Sequence, residues 1–311
     1  MKVRHFLSLS NLGPEPLSCL IEQSIAIAGG RERRERPLDG KIAGIYFRRS
    51  STRTRTAFTV GALRLGGRTI QYGPNDLQVV TGESISDTGR VLSGYLDILV
   101  IRTNDSIEEM EALASQDEMS VINAMSQNEH PTQAIADLVT IREALGRLDD
   151  VHVMYIGEGN NSACALALAV AQTPGMRLTI VTPEKYGLPI DVLDKAQSIA
   201  KTCGADIQQI HEAHRLPKGV DAVYTTRWCT MGVPKTEPNW HKEFEPYQVN
   251  SELMAEVSKP SGTIFLHDLP AMRGQEVTDD VLDGPQSLAF RQAQHKLSSA
   301  MAILSWCAGA T

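Results

Sequence analysis

The chain has 311 residues, 42% of them hydrophobic and 22% charged, and its formal net charge at pH 7 is −7. This length and ordinary globular composition predict two domains with sizeable cores. The acidic balance argues against nucleic acid as the main partner, because binding to a phosphate backbone depends on clustered lysines and arginines.

The first half of the chain alternates short apolar runs with helical patterns. Strands are predicted at 41–47, 69–73, 96–102 and 120–125, and helices at 56–67, 84–95, 106–115 and 130–146. The pattern then starts again, with a strand, a Gly/Asn loop and a helix across 151–173. Further strands are predicted at 177–183, 221–226 and 263–270, and further helices at 189–204 and 287–309. This alternation predicts two α/β units with mostly parallel sheets that meet near residues 146–150.

The five cysteines are scattered and form neither a CxxC pair nor a zinc-binding spacing. This pattern suits a reducing cytoplasm, and it predicts no metal site. No apolar run approaches about 18 residues, and the amino-terminal stretch lacks the apolar segment of a signal peptide. We therefore expect a cytoplasmic protein with no membrane partner.

The segment SSTRTRT (50–56) lies between the strand ending at Phe47 and the next predicted helix. A helix N-terminus at the carboxyl end of a strand attracts an anion through backbone N–H groups and the helix dipole. The hydroxyls of Ser51, Thr52 and Thr54 add donors, and Arg53 adds a bidentate fork. For such a cluster alone, a capped helix with solvated arginines would be the favoured interpretation.

Five further blocks follow the STRTR turn in a fixed order: GESISDTGRVLSGYLDILVIR (82–102), INAMSQNEHPTQAIADLVTI (122–141), YIGEGNNSA (155–163), VYTTRWCTMG (223–232) and FLHDLPAMRGQEVTDDVLDGPQS (265–287). Together they resemble the aspartate/ornithine carbamoyltransferase family over nearly the whole chain, more closely the ornithine type. The resemblance implies carbamoyl phosphate as donor, a small amino acid as acceptor, no cofactor, and a homotrimer with shared active sites.

Together, the pattern and the resemblance predict an α/β fold of two doubly wound parallel-sheet domains. The carbamoyl-phosphate domain is expected at 1–147 and the acceptor domain at 148–287. The C-terminal helix, within 288–311, is expected to pack back on the first domain.

The resemblance also assigns the donor site. It implies that Ser51, Thr52, Arg53 and Thr54 hold the phosphate, and that Arg102 reaches the phosphate and the carbonyl oxygen. The matching His130 and Gln133 would contact the carbamoyl oxygen and the carbamoyl amide. Arg53, Arg102, His130 and Gln133 are the expected catalytic residues, because positioned donors and cations stabilise the charge that develops as an amine attacks and phosphate leaves.

A loop from the neighbouring subunit completes each site in the family. Here Gln78 falls where ornithine-type members often carry histidine. We expect Gln78 to make a weaker, neutral contact from the neighbouring subunit, the alternative being a shared-site contact that differs from the family's. Arg48 and Thr59 stand where acidic residues are common, and both are departures from the family pattern.

The acceptor motifs mix the two types of the family. Thr226, Thr230 and Asp268 replace the ornithine-type Asp, Ser and Cys, whereas Arg227 resembles the aspartate-type YxTR arginine. The resemblance assigns acceptor contacts to eight residues: Asn161, Thr226, Arg227, Thr230, Met231, Asp268, Leu269 and Lys296. An anionic Asp268 near the reacting amine favours an ammonium, and Arg227 favours a carboxylate. We therefore rank a short diamino acid first, with 2,3-diaminopropionate as the type molecule, then ornithine, then aspartate.

Two interpretations from other classes stay open at this point. GEGNN after a strand superficially suggests a dinucleotide loop, although GxGxxG is absent. A non-catalytic paralogue would be indicated by loss of donor residues, but Ser51 to Thr54, Arg102, His130 and Gln133 are all present.

Overall fold

A computed structural model describes residues 3–30, 36–230 and 234–309. The chain divides into two compact units, residues 1–139 with 294–311 and residues 140–293. Two helices, α5 (Pro131–Leu145) and α11 (Ala289–Cys307), contain the points at which the chain passes from one unit to the other. The domain limits predicted near residues 147 and 288 stay predictions.

The first unit contains a four-stranded parallel sheet in the order β2-β1-β3-β4. Its strands are β1 (Ile42–Phe47), β2 (Arg68–Tyr72), β3 (Ile98–Arg102) and β4 (Ser120–Met125). Every residue of β3 and β4 is buried, as expected for the strands of a parallel sheet covered on both faces. The helices α1 (Pro14–Ala28), α2 (Arg53–Arg64), α3 (Ile85–Ser93) and α4 (Glu108–Leu113) belong to this unit.

The later part of α11 packs in the first unit. Phe6 meets the ring of Trp306 edge-on, with 6.4 Å between centroids, and Ser120 Oγ donates to the carbonyl of Cys307 at 3.2 Å. Gly61 of α2 lies so close to α11 that an added Cβ would stand 3.1 Å from Met301 Cγ. The predicted return of the C-terminal helix to the first unit is confirmed.

The second unit contains a five-stranded parallel sheet in the order β7-β6-β5-β8-β9. Its strands are β5 (His152–Ile156), β6 (Arg177–Val181), β7 (Asp206–Ile210), β8 (Ala222–Thr225) and β9 (Ile264–His267). The helices are α6 (Asn161–Ala171), α7 (Ile190–Cys203), α8 (Trp240–Phe244), α9 (Ser251–Val257) and α10 (Asp279–Leu282). Each described residue of α6 is buried, which explains its unbroken run of small and apolar residues.

Several elements differ from the sequence-based expectation: α1, α8, α9 and α10 were not predicted, and α2 and β7 also differ. The helix expected at 56–67 begins at Arg53, so the STRTR turn forms its first turn instead of preceding it. The edge strand β7 was not predicted, because its sequence DIQQI is polar and only Ile207 is buried. None of the described helices is long and apolar enough to cross a membrane.

Candidate active site

The predicted donor residues lie where the strand order of the first sheet reverses. From β1 the chain moves to β2 on one side, and β3 lies on the other side, so the loops that follow β1 and β3 diverge. The last residues of these strands, Phe47 and Arg102, are register partners. Such a switch point leaves a crevice at the carboxyl ends of the strands, which is the usual ligand site of an open α/β sheet.

The turn after β1 brings its donors to this crevice. Thr52 is the cap residue of α2 but makes no side-chain capping bond, so no cap side chain occupies the N–H groups of the first turn. Arg102 Nη1 donates to Ser51 Oγ at 3.3 Å. Thr54 and Arg102 are both buried. The structure therefore brings a helix N-terminus, hydroxyls and a buried guanidinium together at one strand end, a combination that suits a phosphate.

Arg48, a departure from the family pattern, forms hydrogen bonds and ion pairs with three side chains of the first unit. Its Nε donates to the Tyr46 hydroxyl at 2.7 Å, and its two Nη atoms pair with Asp105 at 2.8 Å and Glu109 at 2.5 Å. Two carboxylates thus neutralise this guanidinium. We infer that Arg48 ties the turn to the segment that leads into α4 and adds little positive charge to the crevice.

His130 and Gln133 lie at the start of α5 and are both buried. Gln133 Nε2 donates to Asp137 Oδ1 at 2.6 Å, and Lys296 of α11 donates to Gln133 Oε1. Lys296 and Asp137 together fix which way the Gln133 amide faces. Asp137 therefore makes a hydrogen bond within α5. Lys296, predicted to contact the acceptor, contacts a donor residue of the first unit.

Burial lowers the pKa of His130 well below its usual value of 6.5. The neighbouring cations Lys296 and Arg102 lower this pKa further. His130 is thus a neutral imidazole at neutral pH. Its Nδ1 lies 3.3 Å from Thr132 Oγ1. A hydroxyl that donates to Nδ1 leaves the ring proton on Nε2, where it can be donated to a ligand.

Gln78, expected to serve a neighbouring subunit, lies in the exposed 3₁₀ turn Gln78–Thr81. Its Oε1 accepts a hydrogen bond from Thr81 Oγ1 at 2.8 Å, while the preceding Leu77 is buried in the first unit. The turn is thus anchored by Leu77 and presents Gln78 to the outside of this chain. Its contribution to another subunit stays a prediction.

The predicted acceptor residues of the second unit lie at the corresponding place in its sheet. The strand order reverses between β5 and β8, and Ile156 and Thr225 are register partners at the ends of these strands. After β5, Asn160 caps α6 by accepting the N–H groups of Ser162 at 3.0 Å and Ala163 at 3.2 Å. This cap fixes the position of the buried Asn161 in the first turn of α6.

Asp268 joins three elements of the second unit. It follows β9, and its Oδ1 accepts the Thr226 hydroxyl at 2.9 Å while its Oδ2 accepts the Ser162 hydroxyl at 2.9 Å. Both of its oxygens thus act as acceptors, as in an ionised carboxylate. Its side chain is 15% exposed. Asp268 is therefore an oriented anion at the carboxyl end of the sheet.

Two other predicted residues lie beside Asp268. Leu269 has a φ of +53°, a left-handed conformation that is rare for a non-glycine residue, and its N–H donates to His267 Nδ1 at 2.8 Å. Arg227 follows Thr226, and its Nε is buried with no hydrogen-bond partner among the described residues. The side chain of Arg227 thus has capacity for an additional acceptor such as a carboxylate.

Thr230 is already engaged within the second unit. Its N–H and hydroxyl both donate to Glu158 Oε2, at 3.1 and 2.8 Å. The predicted contact between the Thr230 hydroxyl and an acceptor would have to share that hydroxyl with Glu158. Met231, the next predicted residue, lies outside the described residues.

The glycine loop after β5 has a packing explanation. The N–H of Gly159 donates to the carbonyl of Tyr186 at 2.7 Å, and a Cβ at Gly159 would stand 2.5 Å from the carbonyl carbon of Gly187. Glycine is required here because the backbone of residues 186–188 closes over the loop. This packing removes the reason to interpret GEGNN as a cradle for a dinucleotide.

Three residues of the second site were missed by reasoning from the sequence. Ser162 holds Asp268, while Glu158 and Lys235 form an ion pair beside Thr230. The acidic residue within GEGNN was a usable signal for Glu158. Lys235 gave none, because a lysine in a loop is normally solvated.

Two domain families match the chain. The family described as aspartate/ornithine carbamoyltransferase, carbamoyl-P binding domain, matches residues 4–143, and its Asp/Orn binding domain matches residues 149–307. An ornithine carbamoyltransferase of Oceanobacillus iheyensis is 40% identical over 309 residues, which cover 98% of this chain and 94% of that protein.

Solved structures give the same result. The ornithine carbamoyltransferase from Pyrococcus furiosus is 35% identical with a TM-score of 0.92, and the match covers 100% of this chain and 98% of that one. The anabolic ornithine carbamoyltransferase from Campylobacter jejuni is 30% identical with a TM-score of 0.89, and both chains are covered completely. The predicted fold of two parallel-sheet α/β domains is confirmed.

Proposed function

We propose, for a chain that belongs to the aspartate/ornithine carbamoyltransferase family and is a carbamoyltransferase, that the acceptor is a diamino acid with ornithine ranked first. The reaction moves the carbamoyl group from carbamoyl phosphate to an amine and yields a ureido product and phosphate. The observation that carries the donor assignment is the meeting of the Ser51–Thr54 turn with Arg102 at the first switch point.

In this proposal the donor residues bind the phosphate and the carbonyl oxygen of carbamoyl phosphate. Ser51, Thr52, Arg53 and Thr54 bind the phosphate, and Arg102 lies between the phosphate and the carbonyl oxygen. The bond from Arg102 to Ser51 and the burial of Arg102 support this arrangement. Donors that are oriented before the reaction stabilise the charge on the leaving phosphate and lower the barrier without a protein nucleophile.

His130 and Gln133 act in the proposal on the carbamoyl group itself. The neutral imidazole of His130 donates a hydrogen bond to the carbonyl oxygen, where negative charge develops as the amine attacks. The lowered pKa of His130 supports this role, because the ring keeps one donor and one acceptor at neutral pH. Gln133 contacts the carbamoyl amide, and its hydrogen bonds to Lys296 and Asp137 limit its rotation.

The charges of the second unit support a diamino acid as acceptor. Asp268 offers a carboxylate to an ammonium group and opposes the second carboxylate of aspartate, while Arg227 suits the α-carboxylate. The relatives are named for ornithine, so ornithine now ranks above the expected 2,3-diaminopropionate. Support for the shorter acceptor is limited to the substituted motif residues Thr226, Thr230 and Asp268.

The donor assignment is tested by phosphate release from carbamoyl phosphate in the presence of an amino acid. Arg53→Ala is expected to lower kcat/KM by about 100-fold or more, because it removes a charged hydrogen-bond donor that stabilises the charge on the leaving phosphate. Arg49→Ala is the matched control, since Arg49 is an exposed arginine of the same turn. Wild-type activity in Arg53→Ala would refute this donor site.

The acceptor is tested with a panel of ornithine, 2,3-diaminopropionate and aspartate, with the ureido product identified by mass spectrometry. Ornithine is expected to give the highest kcat/KM. Asp268→Asn is expected to raise KM for the diamino acid by about tenfold, since it removes a charge-assisted hydrogen bond, and to leave KM for carbamoyl phosphate unchanged. A higher kcat/KM for 2,3-diaminopropionate would restore the original ranking.

We also propose a homotrimer that works in the cytoplasm. Large side chains of the first unit lie exposed on β2, the 3₁₀ turn, α3 and the turn after α3, and a partner subunit would cover them. Ile70, Val80, Val91 and Tyr95 are 41%, 57%, 50% and 68% exposed. All five cysteines are free thiols, which supports a reducing compartment.

A further inference from the structure

A partly buried ion pair lies beside the predicted acceptor residues of the second unit, and neither of its members is among the predicted site residues. Lys235 Nζ pairs with Glu158 Oε1, and the two side chains are only 8% and 14% exposed. A buried pair of this kind needs further hydrogen bonds to offset its loss of water. The partners that supply them show what the pair does.

Glu158 uses its backbone and its side chain to connect two loops. Its carbonyl accepts the Tyr155 hydroxyl at 2.6 Å and the Asn160 N–H at 2.8 Å, so its position after β5 is fixed. Its Oε2 accepts both the N–H and the hydroxyl of Thr230. The carboxylate thus links the loop that leads to Asn161 with the segment that follows β8.

Lys235 is held by aromatic rings as well as by Glu158. Its Nζ lies 4.2 Å from the ring centroid of Tyr186, 5.2 Å from that of Phe244 and 5.5 Å from that of Trp240. Aromatic faces attract a desolvated ammonium, and this attraction offsets part of the cost of burial. The ammonium of Lys235 is therefore a fixed point in the second unit.

The segment from Thr226 to Thr230 is attached at three points. Thr226 donates to Asp268, Trp228 stacks on Phe244 with 5.6 Å between centroids, and Thr230 donates to Glu158. Arg227 lies between these attachments. The backbone of Arg227 therefore has little freedom.

We propose that Glu158 and Lys235 form a clamp that positions Arg227 and Thr226 for acceptor binding without touching the acceptor. The inference rests on the proposed function, since it assigns the acceptor to the Thr226–Thr230 segment. Glu158 and Lys235 are positioning residues, and they act on acceptor affinity and leave carbamoyl phosphate binding untouched.

Steady-state kinetics test the clamp. Glu158→Gln keeps the shape but loses the charge, and it is expected to raise KM for the diamino acid by about tenfold with KM for carbamoyl phosphate unchanged. Lys235→Met is expected to raise KM for the diamino acid in the same way, with KM for carbamoyl phosphate unchanged. The double variant is expected to have a KM for the diamino acid no higher than that of Glu158→Gln. Lys185→Met is the matched control, because it breaks the neighbouring exposed pair of Lys185 with Glu243.

Hydrogen exchange tests the clamp without any acceptor. In Glu158→Gln the amides of residues 226–230 are expected to exchange faster than in the wild type, while α6 is unchanged. Unchanged exchange in that segment, or an unchanged KM for the diamino acid, overturns the proposal. Lys235→Met gives both measurements if Glu158→Gln does not fold. The two proposals can fail separately. If the wild type carbamoylates no amino acid, the proposed function is refuted, whereas faster exchange in Glu158→Gln would still support the clamp.

Discussion

Single side chains of the first unit show how burial sets protonation around the proposed donor site. His130 is kept neutral by burial and by two nearby cations, whereas its neighbour Glu129 is 5% exposed and is held by the N–H of Leu9 at 2.8 Å. Burial raises the pKa of Glu129 from 4.5 to about 7 despite that hydrogen bond. Two adjacent residues therefore shift in ways that both favour the neutral form.

The raised pKa of Glu129 predicts a pH-dependent stability. Between about pH 4.5 and 7 the folded chain holds a proton that the unfolded chain has released, so the free energy of unfolding falls as the pH rises. The shift corresponds to at most about 3 kcal/mol. In urea unfolding across this range, Glu129→Gln is expected to gain stability relative to the wild type as the pH rises. The exposed Glu111→Gln is the control, and parallel curves for Glu129→Gln and the wild type would contradict the prediction.

Lys296 provides a second prediction at the scale of the residue. Lys296→Met removes the donor that holds Gln133 and one of the cations that lower the pKa of His130. We expect kcat to fall about tenfold. Because loss of the cation raises the pKa of His130, the acid limb of the pH profile of kcat/KM for carbamoyl phosphate is expected to move to higher pH. Lys41→Met, at the opposite end of β1, is the control. An unmoved acid limb would show that Lys296 does not act through His130.

At the scale of the element, the first turn of a helix carries the predicted ligand residues in both units. Helix α2 begins at Arg53, and its cap residue Thr52 makes no side-chain capping bond, while α6 begins at Asn161 with Asn160 as a full cap. The difference is consistent with the proposed roles. An uncapped N-terminus has N–H groups to offer to a phosphate, whereas a capped one orients a side chain.

The cap of α6 can be tested by substitution. Asn160→Ala removes the acceptor of two backbone N–H groups and is expected to lower the free energy of unfolding by about 1 kcal/mol. Asn160→Asp keeps a good capping residue and is expected to stay close to the wild type. Urea unfolding of both variants provides the measurement. Equal loss in the two would mean that the cap is not the stabilising contact.

At the scale of the whole molecule, the proposed trimer predicts a mass of about three times the 34.0 kDa chain. Tyr95→Glu introduces a charge into the exposed apolar group of the first unit and is expected to shift the protein to a single chain in light scattering. Ile190→Glu is the control, because Ile190 is 70% exposed in the second unit. A wild type that elutes as a single chain would refute the trimer.

The sequence by itself determined the fold class and the enzyme family, and it predicted the proposed donor turn. Hydrophobic periodicity locates strands and helices, and residues such as Ser51–Thr54, Arg102 and the His130–Gln133 pair lie within short local motifs. Tertiary structure decided which side chains pair in the sites, because the two members of each pair are far apart in the chain. Arg48 pairs with Asp105 and Glu109, and Glu158 pairs with Lys235. Asp268 accepts hydrogen bonds from Thr226 and Ser162. Burial and hydrogen-bond partners of this kind depend on which strand ends become neighbours, and local sequence patterns carry no record of that.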